Sequence, residues 1–125
     1  MVELTPPSVT LDIDPAWLTD RLREQWPDVQ LNTREPRPQA YLLDWRMTME
    51  GKIVSGALHR DRYAVVITGD DAYPFAAWYR SIVASEQPLY LYEWADYGVE
   101  LRPGMAASDI ETAKRTEDDR RRLKL

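Results

Sequence analysis

The sequence predicts an α+β fold: a single domain over residues 1–125, with an antiparallel sheet of five to six strands and three helices in the order β-α-β-β-β-α-β-β-α. Apolar and polar residues alternate over Tyr41–Met49, which is the period of a strand with one buried face. Apolar residues recur at helical spacing over Phe75–Val83. A chain of 125 residues that is 44% hydrophobic can also bury one core without a disulfide or a metal.

The first two elements are predicted from a short alternation and a helix-start signal. Residues 8–13 alternate apolar with polar side chains and are rich in β-branched residues, which predicts the first strand. Asp14 followed by Pro15 predicts the helix start, because an N-cap aspartate accepts a backbone N–H and the proline has no N–H to leave unpaired. The helix is expected to end at about Gln25. Its buried face is predicted to consist of Leu18, Leu22 and Trp26.

A connecting loop and a three-stranded meander are predicted next. Residues 27–39 contain three prolines and are expected to form a loop, with a short extended piece at Val29–Leu31. The strands of the meander are Tyr41–Met49, Lys52–His59 and Arg62–Thr68. Glu50-Gly51 is expected to be the tight turn between the first two.

The second half of the chain predicts two helices around a hairpin. Asp70 and Asp71 are expected to cap the second helix, whose buried stripe is Phe75, Trp78, Tyr79, Ile82 and Val83. Strands at Leu89–Trp94 and Val99–Leu101 form the hairpin. The sequence Ser108-Asp109-Ile110-Glu111 matches a capping box for a last helix over about 109–122. We expect its last turns to fray, because its apolar face is thin.

The strand at residues 89–94 carries the candidate binding residues. Leu89 and Leu91 alternate with Tyr90, Tyr92 and Trp94, so both faces are apolar and the sequence leaves open which one meets the core. If the leucines face inward, an aromatic ladder lies on the open face, and tyrosine and tryptophan are favoured at protein interfaces. The alternative is a central strand covered by helices on both faces. The predicted partner-binding residues are Tyr90, Tyr92 and Trp94, with Glu93, Asp96 and Glu100 as an acidic rim.

Charge and composition narrow the class of partner. The net charge of −5 repels phosphate backbones, which argues against nucleic acid and favours a basic protein partner. The N-terminal residues lack the pattern of a signal peptide, and no run of about eighteen apolar residues predicts a membrane span. Together with the absence of cysteine, this predicts a cytoplasmic protein.

His59 is the only candidate for chemistry that the sequence offers. With one histidine and no cysteine, we expect no transition-metal site and no cofactor. No nucleophile elbow and no phosphate-binding glycine loop is present. An alternative hypothesis makes the chain a small hydrolase that uses His59 with Asp61 or Asp70.

The order of elements resembles that of small acidic type III secretion chaperones, and polymorphic-toxin immunity proteins are also often small, acidic and α+β. The resemblance is one of size, charge and topology. Our leading hypothesis is a non-enzymatic adaptor, immunity-like or chaperone-like, that binds another protein. It rests on the absence of a catalytic motif, the acidic charge and the possible exposed aromatic strand, and the resemblance agrees with it. Besides the hydrolase, a self-associating subunit that forms a homodimer edge to edge through the aromatic strand is the further alternative.

Overall fold

The computed structural model describes residues 2–7, 10–33, 41–69, 72–93 and 98–123 of the chain. Three helices lie at Pro15–Gln25 (α1), Tyr73–Ile82 (α2) and Ala107–Leu123 (α3). The strands are Val2–Thr5 (β1), Gln30–Thr33 (β2), Tyr41–Met49 (β3), Lys52–His59 (β4), Val65–Gly69 (β5), Tyr90–Glu93 (β6) and Gly98–Glu100 (β7).

The seven strands form one antiparallel sheet in the order β2-β3-β4-β5-β1-β6-β7. The N-terminal strand β1 therefore lies inside the sheet, between β5 and β6. Leu4 at its centre pairs with Val65 on one side and with Leu91 on the other. These three leucine and valine side chains are all fully buried, so they mark the face of the sheet that carries the core.

All three helices contribute to a core on that one face. Leu18 and Leu22 of α1, Phe75 of α2 and Ile110 of α3 are each fully buried in the same cluster. The indole of Trp45 stacks on Phe75 with ring centroids 5.8 Å apart. Because a Cβ at position 56 would lie 2.5 Å from the indole ring, only glycine leaves room for it on β4. No helix among the described residues covers the other face, as is common for antiparallel sheets.

The predicted fold class is confirmed, with seven strands rather than five to six. The additional strand is β2, which lies at the place where the sequence allowed an extended piece. The helix from Pro15 to Gln25, the strand over Tyr41–Met49 and the turn after it are confirmed. Glu50 and Gly51 have φ values of 53° and 79°, the left-handed conformation that a two-residue hairpin turn requires.

The first strand was predicted in the wrong place. Residues 10–13 form no strand, residues 8 and 9 lie outside the described residues, and β1 is Val2–Thr5. The N–H of Ile13, just before α1, instead donates to the carbonyl of Arg62 at 2.7 Å, which connects this segment to the turn between β4 and β5. Alternation is a local signal, and it cannot tell a segment that pairs with β5 and β6 from one that pairs with no strand.

Two of the three helix caps in the structure also differ from the predicted ones. The carboxylate of Asp14 accepts the N–H of Ala16 at 3.0 Å, as predicted. The N-cap of α2 is Ala72, which makes no side-chain capping bond, while Asp70 and Asp71 lie outside the described residues. Helix α3 begins at Ala107, before the predicted N-cap Ser108. There the carboxylate of Asp109 accepts the N–H of Ala106 at 2.9 Å.

Arg80 joins the end of α2 to the β6–β7 hairpin. Its side chain is buried, and its two terminal nitrogens donate to backbone carbonyls. The acceptors are Gln87 at 2.7 Å, Leu101 at 3.3 Å, Val83 at 3.2 Å and Ala84 at 2.5 Å. Burial lowers the pKa of the Arg80 guanidinium. The carbonyl dipoles at the C-terminal end of α2 compensate for that burial, because this end of a helix attracts cations.

Candidate functional site

The structure decides which face of β6 meets the core. Leu89 and Leu91 are fully buried beneath the helices, and Tyr90 and Tyr92 are half-buried on the opposite, helix-free face. Strand β6 is hydrogen-bonded on both sides, to β1 and to β7. The strand is thus central, as one hypothesis required, but the three described helices cover its leucine face and leave its tyrosine face open. The edge of β6 is also unavailable for the edge-to-edge dimer.

The pairing pattern brings the tyrosines close to their neighbours on β7. The N–H of Leu101 donates to the carbonyl of Leu89 at 2.9 Å, which makes this a hydrogen-bonded pair. Such pairs alternate along an antiparallel ladder with non-hydrogen-bonded pairs, whose Cα atoms are closer, about 4.5 Å apart. Tyr90 opposite Glu100 and Tyr92 opposite Gly98 are therefore both non-hydrogen-bonded pairs.

The ring of Tyr92 lies against the backbone of Gly98. A Cβ at position 98 would be 2.8 Å from two atoms of this ring, so the glycine permits the contact. The ring centroids of Tyr90 and Tyr92 are 6.3 Å apart, within the range of an aromatic pair. The glycine contact and the ring pair hold the two phenols in place on the helix-free face.

Two exposed carboxylates flank the tyrosines on the same face. Glu3 of β1 lies directly opposite Tyr92, and Glu100 of β7 lies directly opposite Tyr90. Both are exposed, and neither has an ion-pair partner within the part of the chain that the structure describes. We call the four residues Glu3, Tyr90, Tyr92 and Glu100 the tyrosine patch. It offers aromatic surface between two carboxylates that no basic side chain among the described residues compensates.

Of the predicted acidic rim, only Glu100 is described on the tyrosine face. Glu93 lies on the leucine side of β6, where one of its carboxylate oxygens is 3.7 Å from the ammonium of Lys114 on α3. Lys114 is buried and also contacts the carboxylate of Asp118 at 2.5 Å. Trp94 and Asp96 lie outside the described residues.

His59 lies at the end of β4, beside a charged turn. Its Nδ1 accepts the N–H of Asp61 at 3.2 Å, and a carboxylate oxygen of Asp61 is also 3.2 Å away. Tyr41 and Tyr63 have ring centroids 6.2 and 6.3 Å from the imidazole. The side chains of His59 and Asp61 are 33% and 52% exposed, so this pair lies at the surface, and Asp70 lies outside the described residues. The hydrolase hypothesis gains no nucleophile from these contacts.

Clefts occur at both outer edges of the sheet. One of about 270 Å³ lies beside the part of β3 that extends past β2, between Trp26, Gln30, Met47 and Ile53. Two others, of about 470 and 500 Å³, lie between β7, the 102–105 turn and α3. No group of three metal-ligating side chains occurs among the described residues. Within the same residues, no helix has the length and apolar character needed to cross a membrane.

Sequence reasoning missed Glu3, Arg80 and Lys114. Glu3 was missed because its strand was predicted at residues 8–13. Arg80 follows a fully apolar helical stripe and is the basic residue of the last turn of α2, which is the signal for a cation that binds helix-end carbonyls. Lys114 stands four residues after the buried Ile110, and that spacing indicates the same face of α3.

Comparison of the chain with protein-family models, with curated proteins and with solved structures finds no match.

Proposed function

We propose that the chain is a non-enzymatic protein-binding module whose partner contacts the tyrosine patch. The observation that carries the proposal is the pair of half-buried tyrosines on the helix-free face, held between two exposed glutamates that have no ion-pair partner in the described part of the chain. Both the immunity-like and the chaperone-like adaptor would use such a surface.

Ordered tyrosines suit a binding surface for energetic reasons. A tyrosine contributes a large contact area while it loses only two rotatable side-chain bonds, and its hydroxyl tolerates water when no partner is bound. Tyr92 is already held against Gly98, so less entropy remains to be lost on binding. The half-buried state of both rings therefore favours a partner that covers them.

Charge favours a basic partner. The chain has a net charge of −5, and Glu3 and Glu100 place two of its carboxylates at the tyrosines. Complementary charge raises the rate of encounter and disfavours partners of like charge, nucleic acid included. The proposal includes a cytoplasmic location, which agrees with the absence of cysteine. Trp94 and Asp96 are kept as proposed contacts, whereas Glu93 is assigned to the ion pair with Lys114.

Crosslinking from defined positions tests the proposal. A photo-crosslinking amino acid is introduced at Tyr90 and, in a separate variant, at the exposed Thr112 of α3, and both are expressed in the native cell. We expect one discrete adduct from position 90 and none of that mass from position 112. A partner that crosslinks equally from both positions would contradict a contact at the patch.

A charge-matched comparison then tests the role of the carboxylates. Glu3→Lys and Glu100→Lys are expected to lower the yield of the adduct at least fivefold. Asp20→Lys is the control, because it makes the same charge change on the exposed side of α1. If Asp20→Lys lowers the yield as much, net charge alone governs the encounter and the patch is not the contact surface.

A further inference from the structure

The outer edge of β7 has backbone groups that no other strand uses. Since Leu101 pairs with Leu89 through hydrogen bonds, Val99 pairs with Leu91 in the same way, and the groups of Gly98 and Glu100 point away from β6. β7 is the last strand of the sheet. Among the described residues, the N–H and C=O groups of Gly98 and Glu100 have no hydrogen-bond partner. Two donors and two acceptors thus face outward at a fixed spacing.

A groove runs beside this edge. The space of about 470 Å³ is lined by Gly98, Val99 and Glu100 of β7 and by Ala113, Glu117 and Arg120 of α3. It shares the lining residues Arg102 and Ala113 with the neighbouring space of about 500 Å³ at the 102–105 turn, so the two spaces are adjacent. An edge strand beside a helix is the arrangement in which extended peptides bind by strand addition.

We propose that the partner adds an extended segment to the outer edge of β7, as an eighth strand of the sheet, and places a basic side chain beside Glu100. The inference rests on the proposed function, because Glu100 belongs both to this edge and to the tyrosine patch. The inference goes beyond the proposed function by specifying the part of the partner that is recognised. That part is a main-chain segment in β conformation, with a basic side chain opposite Glu100.

The register of β7 specifies those side chains. The partner residue opposite Glu100 projects on the helix-free face next to that carboxylate, where opposite charges stabilise a cross-strand pair. The partner residue opposite Gly98 projects on the same face, next to the ring of Tyr92, and suits an arginine or an aromatic side chain. The residue between them projects toward α3 and the small side chain of Ala113, so it is small and apolar.

Charge also favours a foreign segment over a second copy. In an antiparallel pairing of β7 with itself around Val99, the two Glu100 side chains would lie on the same face at diagonal positions. Two like charges on neighbouring strands repel each other at this separation, which weakens the pairing. A segment from another protein that places a basic side chain beside Glu100 replaces that repulsion with attraction, so the charge of Glu100 favours it over a second copy.

The test uses a displayed library of ten-residue linear peptides, selected on the full chain. Selected peptides are resynthesised, and their affinities are measured for the wild type, Glu100→Ala and Glu100→Pro. Both substitutions remove the carboxylate, but only proline removes the outward N–H, and the ladder to β6 does not use that N–H. We expect the selected peptides to contain three consecutive residues, read in either chain direction. The first is basic (opposite Glu100), the second is small and apolar (opposite Val99), and the third is arginine or aromatic (opposite Gly98). Glu100→Pro should weaken their binding at least tenfold more than Glu100→Ala.

If Glu100→Pro does not fold, N-methylation of the peptide backbone tests the same main-chain hydrogen bonds on the wild-type protein. N-methylation at the amides that pair with β7 should abolish binding. In the unmethylated complex, the amides of Gly98 and Glu100 should gain protection from hydrogen exchange. Equal binding of methylated and unmethylated peptides, or the absence of any enriched peptide, would overturn strand addition.

The outcomes separate the two proposals. Peptides that depend on the N–H of Glu100 but bind Glu3→Lys and Tyr92→Ala normally would support the edge and count against the tyrosine patch. A partner that crosslinks at position 90 in the cell while no peptide uses the edge would support the patch and overturn strand addition. Self-association of the chain through β7, detected by light scattering and lost in Glu100→Pro, would replace the foreign segment with a second copy.

Discussion

At the scale of single residues, Arg80 makes the largest set of polar contacts in the described core. It supplies the donors for four carbonyls of the α2 end and the β6–β7 hairpin. Arg80→Met would remove this donor from all four carbonyls. Only the bonds to Leu101 and Val83 are buried, and each buried group left unpaired costs about 1–3 kcal/mol, whereas the carbonyl of Ala84 keeps the N–H of Gln87. We expect the free energy of unfolding to fall by at least about 2 kcal/mol, as measured by urea unfolding.

The matched control for Arg80 is Arg23, the basic residue of the last turn of α1, which is exposed. Arg23→Met should change the free energy of unfolding by less than about 0.5 kcal/mol. Arg80→Lys keeps the charge but has a single nitrogen, so its loss should fall between the two. Equal, small losses for Arg80→Met and Arg23→Met would show that the carbonyls find other donors.

Because the phenol of Tyr79 is buried, we expect the free energy of unfolding to decrease as the pH rises above 10. Burial raises the pKa of its phenol well above the usual value of about 10, and the nearby Arg80 charge only partly opposes the rise. Above pH 10 the unfolded chain therefore releases a proton that the folded chain keeps. The resulting stability is complete below pH 10 and is lost as the pH rises toward the folded-state pKa. The free energy of unfolding should fall by up to about 1.4 kcal/mol per pH unit.

Tyr79→Phe isolates this contribution. The hydroxyl is buried with no hydrogen-bond partner among the described residues, so at pH 7 its removal should leave stability unchanged or raise it by up to about 1 kcal/mol. Urea unfolding at pH 9, 10 and 11 should then show a shallower decline than in the wild type. An identical alkaline decline in the two proteins would mean that other groups cause it.

At the scale of elements, the sequence predicted those whose signals are local. Asp14 and Pro15 lie next to the helix that they start, and the alternation over Tyr41–Met49 lies within one strand, so both were predicted correctly. Strand β1 has no such signal, because its partners Val65 and Leu91 are far away in the sequence.

The candidate site shows the same limit. Tyr90 and Tyr92 could be named from the sequence, but their face could not, since Leu89 and Leu91 make the other face of β6 equally apolar. The positions of the helices decide the matter, and these depend on the whole core. Glu3 reaches the patch only because β1 pairs with β6, a long-range contact that no local pattern contains.

The buried position of β1 predicts that a residue near the N-terminus carries core stability. Leu4 is fully buried between β5 and β6. Leu4→Ala should lower the free energy of unfolding by about 2–5 kcal/mol, the range for a leucine removed from a packed core. Glu3→Ala, one residue away on the helix-free face, should change it by less than about 0.5 kcal/mol. Both variants are measured by thermal and urea unfolding. Equal losses of stability in Leu4→Ala and Glu3→Ala would contradict the placement of β1.

At the scale of the whole molecule, β1 joins two parts of the sheet. Strands β2 to β5 form one part and the β6–β7 hairpin forms the other, and the sheet ladder connects them only through β1. The core also spans the two parts, and the bonds from Arg80 to Gln87 and Leu101 connect α2 with the ends of the hairpin. With both kinds of connection present, the hairpin should not open on its own.

Native-state hydrogen exchange tests this cooperativity. The most protected amides of β3 and β4 and those of β6 and β7 should give opening free energies that agree within about 1 kcal/mol, because both open only in global unfolding. In Arg80→Met the values for β6 and β7 should fall below those for β3 and β4, since this change cuts a connection specific to the hairpin. A hairpin that already opens at much lower free energy in the wild type would contradict a single cooperative unit. It would also mean that the tyrosine patch and the β7 edge sit on the least stable part of the sheet, so that a partner would have to order them on binding.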